Sequence, residues 1–242
     1  MKKKQDLRDP TGTLIPELSS EWTLNVEANK YIKEFYLNGE KCPSYEVSWK
    51  KSEILARYSL IQKDLKQLIE MLSIAINLAS DIPDIQGEKN GYIFDSCNET
   101  ALIRKSLYIS LVITYGKCFA SANGRRLKLD KSAVFNKETD DLKVLHEQLI
   151  EARNEYIAHG GNTDLESSSV SLVFHPDLRN KVPPIMSIDS YYVNSLSKSS
   201  FEKYQKLIVY LNDFVINKIN VLYEKVYEEH IISNVADLYN QI

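Results

Sequence analysis

The chain has 242 residues, 43% hydrophobic and 26% charged, with a net charge of -3 and a pI of about 5.9. Such values suit one large domain, or one domain with an insertion, and exclude wholesale disorder. They also exclude a global electrostatic pull on nucleic acid, so binding of that kind needs a local basic patch.

The basic start, Lys2 to Lys4, is not followed by an apolar run, which argues against a secretory signal. No stretch approaches 18 uninterrupted apolar residues, so no membrane span is expected. Cys42, Cys97 and Cys118 are odd in number and widely spaced. They form neither a disulfide framework nor a zinc spacing, and the expectation is a soluble cytoplasmic chain with reduced thiols.

Residues 1–20 carry charges, Pro10, Gly12 and Pro16, and read as a tail. From Glu21 to Leu37, Trp22, Val26, Ile32 and Phe35 recur at roughly helical spacing and predict a short helix. "NGEKCPSYE" breaks the pattern. Ser48 to Ser80 predicts a long helix, with Ile54, Tyr58, Ile61, Leu65, Leu68 and Leu72 as its apolar stripe. A second helix begins near Asn98, with Glu99 in its first turn to suit the dipole. Its middle, "LYISLVITY", is apolar nearly all round, which predicts a central place in a bundle.

A third long helix is expected from about Glu138 to Ala158. After Gly160-Gly161 the character changes. "SVSLVF" and "PIMSI" are short, apolar and partly β-branched, and predict a hairpin inserted at about 164–192. A last long helix runs from about Ser199 to His230, and a short one covers Ser233 to Asn240. The expected fold is mainly all-α: a four- to five-helix bundle over 51–242 with a small β-hairpin before the last long helix, and 1–50 as tail plus short helix.

The third helix holds the chemistry. Leu142, Leu145, Leu149, Ala152, Tyr156 and His159 are spaced 3, 4, 3, 4, 3, the seam of a helix facing a partner. A second row, His146, Ile150, Arg153 and Ile157, lies beside it. Arg153 therefore stands within an inward face whose neighbours at i±3 and i±4 carry no charge. A guanidinium there is unfavourable unless it pairs with an acid on another helix, snorkels outward, or lines a polar cleft. The glycines could cap the helix, with a terminal histidine suited to its dipole. Arg153 and His159 are not on one face, since six residues advance about 600°. They converge only through a long arginine and a bent last turn, or across a symmetric interface.

Arg153-Asn154, followed by His159 after four more residues, resembles the R-x4-6-H signature of HEPN domains, including the polar residue that often follows the arginine. The motif's place late in a helix, after two long apolar helices, fits as well. The resemblance covers about residues 51 to 230 and implies a metal-independent ribonuclease, acting as a homodimer with both motifs in a composite cleft. Many such proteins serve toxin–antitoxin, abortive-infection and other antiphage systems, so a partner protein or antitoxin is also implied. On that pattern His159 is general acid or base, Arg153 stabilises charge on the phosphate, and Asn154 positions either group. The implied product is a 2',3'-cyclic phosphate, with no metal or other cofactor. The chain departs from one subgroup, which carries a modified tyrosine two residues after the histidine; here that position is Gly161.

Other residues are candidates for the same cleft. His146 lies seven before Arg153 on the same face, where it reads as a core residue or one behind the cleft as well as a lining one; Tyr156 is nearby, and Tyr115 and Lys117 fall late in the second helix. Arg125, Arg126 and Lys128, with Lys131, form the best local basic patch for an RNA backbone, and read equally as a solvated interhelical loop. Glu147, Glu151 and Glu155 recur every four residues and read as a solvated face rather than a metal site. Two non-nuclease readings stand beside the first: a HEPN-like module that only dimerises or binds, and a regulatory subunit of a defence complex that uses its hairpin.

Overall fold

The computed structural model describes residues 5–8, 14–26, 29–79, 92–93, 99–121, 127–157, 165–179, 181–193 and 195–240. The chain divides into two compact units, 1–62 with 213–242, and 63–212. Two long helices, α1 (Lys50–Leu78) and α5 (Lys198–Val226), contribute residues to both. The structure is mainly helical, with small antiparallel sheets.

In the first unit the N-terminal segment is a sheet, where the sequence predicts a tail and a helix. Four strands, β1 (Gln5–Arg8), β2 (Leu14–Asn25), β3 (Lys30–Leu37) and β4 (Glu40–Cys42), pair antiparallel in chain order. The apparent helical spacing mixed residues from two strands. Trp22 and Val26 belong to β2 and its turn, Ile32 and Phe35 to β3. Within β2 the operative period is two, which brings Trp22 opposite Lys33 and Leu24 opposite Tyr31. Asn38 and Gly39, at φ 52° and 86°, form the two-residue turn from β3 to β4. Both φ values are positive, which favours an Asn-Gly pair there. Elsewhere in this unit Lys51 pairs with Glu229, and Trp49 stacks on His230 at 4.6 Å between ring centroids.

The second unit holds the remainder of α1 and α5, with α2 (Glu99–Phe119), α3 (Lys131–Val134) and α4 (Asp140–Glu151). Helix α4 continues as a π-helical turn over Ala152–Ile157. Leu65, Leu68, Leu111, Leu149, Leu207 and Ile208 lie in its core. Helical spacing is what places them there: Leu65, Leu68 and Leu72 on α1, Tyr108, Leu111 and Tyr115 on α2, and Leu207 and Leu211 on α5 are all buried. Helix α2 is not enclosed on all sides, contrary to its apolar character. Leu102 is 53% exposed, and Ile103 and Ile113 nearly as much. Composition alone could not tell how many neighbours would cover the helix.

Strands β6 (Glu166–Val173) and β7 (Ile185–Tyr192) form the inserted hairpin, preceded by β5 (Tyr92–Ile93) and followed by β8 (Ser195–Leu196), which pair with each other. The hairpin's base is tied down. Val193 and Leu196 are fully buried, Val193 N–H donates to the Leu165 carbonyl at 2.7 Å, and Lys105 Nζ stands 3.6 Å from the Tyr192 ring centre. Its shaft is uncovered. Val170, Leu172, Met186 and Ile188 share one face by register, and all are more than half exposed. No helix among the described residues is long and apolar enough to cross a membrane.

Candidate active site

The second unit contains a cavity of about 350 Å³ between the end of α2, the 128–131 segment and the motif-bearing end of α4. Three local devices build it. Leu129 N–H donates to the Cys118 carbonyl at 2.8 Å and its side chain is buried, so the chain leaving α2 folds back beside that helix. Asp130 caps α3, accepting from Ser132 N–H at 2.8 Å and from its hydroxyl at 2.7 Å. Asn136 and Thr139 then form a capping box on the short 3-10 turn Lys137–Thr139 that leads into α4. Lys128, Asp130 and Lys131 thereby come to line one side of the cavity, and His146, Ile150, Arg153 and Asn154 another.

Arg153 is half-buried and lies across α2 at Gly116. A Cβ at that position would stand 2.2 Å from Arg153 Cδ and 2.7 Å from Nε, so only glycine leaves room for this arginine. Arg153 Nη1 donates to Asn154 Oδ1 at 3.1 Å. Both residues sit in the π-helical turn, a form that often marks functional sites. Among the described residues, no carboxylate lies within ion-pair distance of Arg153. Arg153 lines the cavity with its guanidinium unpaired by any described carboxylate.

His146 lies two turns earlier on the same face and is 5% exposed. Its ring is walled by Phe119, Phe135 and Tyr115, with centroids 4.5, 5.1 and 5.8 Å away. Its Nδ1 is 2.7 Å from the Tyr115 hydroxyl. Burial first, then the positive charge of Lys131, holds its pKa down to about 4, while Glu147 acts the other way. Burial raises the Tyr115 hydroxyl well above its usual value. Acceptance of the Ser132 hydroxyl and N–H holds the Asp130 carboxyl below the usual range. Lys131 is neutralised locally by Glu147 at 2.6 Å. Three cations, Arg153, Lys128 and Lys131, thus face Asp130 and, through Lys131, Glu147.

The sequence candidates fall in different places. Arg153, Asn154, His146 and Lys128 line the cavity, and Tyr115 stands behind His146. Lys117 does not line it; its ammonium pairs with Asp64 at 3.3 Å, because residue 117 is one step round the helix from Gly116. Tyr156 does not line it either; its hydroxyl donates to the Val193 carbonyl at 3.1 Å and anchors the hairpin base. His159, Arg125 and Arg126 lie outside the described residues. Glu147, Glu151 and Glu155 are exposed, and no group of three metal-ligating side chains occurs among the described residues. Sequence reasoning missed Gly116. The signal was a glycine inside a strongly apolar helix, where it lowers helix stability and implies a close approach.

No family model, curated protein or solved structure gives a significant match to the chain. The functional reading therefore rests on the motif and on this geometry.

Proposed function

We propose that the chain is a metal-independent endoribonuclease of HEPN type, acting as a homodimer in antiphage defence or a toxin–antitoxin system. The observation that carries this reading is the state of Arg153: half-buried, seated on Gly116, held by Asn154, and lining a cavity without a carboxylate partner among the described residues. A guanidinium so placed binds a phosphodiester by its donor fork and stabilises charge that grows on the non-bridging oxygens. His159 takes the proton from the attacking 2'-hydroxyl or gives one to the departing 5'-oxygen. The new bond joins O2' to phosphorus and the P–O5' bond breaks, leaving a 2',3'-cyclic phosphate and a 5'-hydroxyl. Lys128 follows the backbone of the bound strand.

The test is cleavage of total RNA by the purified chain in EDTA, beside the Arg153→Ala/His159→Ala variant. Cleavage by wild type alone, from variants equal in fold, supports the reading. Equal cleavage by both would assign the activity to a contaminant or another site and sink it.

One observation favours a second reading. The uncovered apolar face of the hairpin suits a regulatory or binding subunit of a larger complex, with Val170, Leu172, Met186 and Ile188 as contacts.

A further inference from the structure

The cavity is lined by His146, and its hydrogen-bond accounting assigns it a role unlike the one proposed for His159. Tyr115 is fully buried, and its hydroxyl meets a single described partner, His146 Nδ1, at 2.7 Å. A phenol has one hydrogen to place. If Nδ1 carried a proton and donated to the phenol oxygen, the phenol hydrogen would be left buried without an acceptor among the described residues, which is unfavourable. The consistent arrangement is therefore Tyr115 O–H donating to Nδ1, with the ring proton on Nε2. Both groups hold these forms near neutrality, since burial disfavours the phenolate and, with Lys131 close by, the imidazolium. Nε2 makes no hydrogen bond to a described residue, and the ring lines the cavity together with Arg153, Lys128 and Lys131. This donor faces the cavity beside Arg153, Lys128 and Lys131 and has no acceptor among the described residues.

We propose that His146 is an anion-binding residue of this cavity, donating Nε2–H as a neutral imidazole to an oxygen of a phosphate or phosphodiester held by Arg153. The proposal rests on the reading of the cavity as a phosphodiester site. Tyr115 is the positioning residue, since it selects the tautomer without touching the ligand. The charged and titratable groups around the ring are Lys131 from α3, Glu147 on α4, Tyr115 on α2, and Arg153, Lys128 and Asp130 across the cavity. None of them supplies an alternative acceptor to Nε2 among the described residues. A neutral donor keeps its hydrogen through the range in which an ordinary histidine gains and loses charge. The hydrogen that His146 offers is then present from about pH 5.5 to 8, whatever the charge of the ligand itself.

The experiment uses the full chain labelled with ¹⁵N-histidine and inorganic phosphate as probe. Expected are a His146 ring that stays neutral from pH 8 to 5.5 with its proton on Nε2, and an Nε2–H resonance that moves on addition of phosphate. His146→Phe keeps an aromatic ring in the slot and removes the donor, and should weaken phosphate binding about tenfold, a typical result for loss of one charge-assisted hydrogen bond. His146→Gln restores a donor and should recover most of the affinity. Tyr115→Phe should give a mixture of tautomers and an intermediate loss. Phosphate binding by His146→Phe equal to wild type, a proton found on Nδ1, or no binding by wild type would each overturn the proposal. Failure of the nuclease reading is separable: phosphate binding that depends on His146 without RNA cleavage keeps this site and removes that activity.

Discussion

The cavity at Arg153 and the hairpin of β6 and β7 depart from ordinary partitioning in opposite directions. At the cavity, ionisable and polar groups are taken out of water: Arg153 half-buried, His146 and Tyr115 buried almost completely. Along the hairpin, Val170, Leu172, Met186 and Ile188 are left in water. Each arrangement lowers stability when considered alone, the first by desolvation and the second by forgone burial. The cavity has compensations inside the chain: a glycine seat, an asparagine contact, and an aromatic slot with a phenol donor. The hairpin shaft has none among the described residues, and an isolated two-stranded hairpin is only marginally stable. Local support thus surrounds the polar groups of the cavity and is missing, among the described residues, along the apolar face of the hairpin.

The largest expected effect breaks the first half of that contrast. Arg153→Ala with His159→Ala should abolish RNA cleavage, and Arg153→Ala alone should reduce it at least about a hundredfold. Circular dichroism should show both variants folded, because the guanidinium has no ion pair to lose among the described residues. Unfolding of Arg153→Ala would instead make the arginine a structural group.

Next in size is a pH effect on stability from His146. An unfolded histidine titrates near 6.5, and the folded ring near 4. Above pH 6.5 neither state holds the proton and the contribution is fully present. As pH falls from 6.5 towards 4, the unfolded chain takes up the proton first, and stability should drop by about 3 kcal/mol at most. Urea melts at pH 7 and pH 4.5 should display this slope in wild type, and a much shallower one in His146→Gln. Parallel slopes in the two proteins would place the pH sensitivity elsewhere.

Gly116→Ala sharpens the role of the seat. The added methyl must push Arg153 Cδ aside, since the two cannot stand 2.2 Å apart. Misplacing the guanidinium should lower cleavage by roughly tenfold to a hundredfold. Helix propensity improves by about 1 kcal/mol at the same position, so the melting temperature should change little. Unaltered cleavage would show that the arginine finds its working position without this seat.

The smallest effect tests the hairpin. Leu172→Ser with Ile188→Ser should change the chain's own stability by no more than about 0.5 kcal/mol, as is usual for exposed positions. Cleavage of RNA should be unaffected, while binding of a hydrophobic dye should fall. A marked loss of stability would mean that the face is already covered within the chain or by a second copy.

Much of the helical unit is legible in the sequence. The stripe Leu65, Leu68, Leu72 and the row Leu207, Ile208, Leu211 become core because a period of 3.6 needs no knowledge of partners. The hairpin is legible too, as two apolar runs around a proline-containing loop. The N-terminal sheet is not legible in this way, because Trp22 of β2 and Ile32 and Phe35 of β3 together imitate a helical spacing across a turn. The Asn38-Gly39 pair was the better signal, and it is local chemistry rather than periodicity.

By itself the sequence determined which faces of α1, α4 and α5 turn inward, and that Arg153 would stand on such a face among uncharged neighbours. Those are properties of a single helix, set by spacing along the chain. It could not determine which side of α2 would be left open, that Gly116 rather than Lys117 would meet the arginine, or that Tyr115 would reach His146. Such facts depend on how one helix rotates against another. That rotation is decided by packing summed over all contacts between them, and only the tertiary structure carries it out.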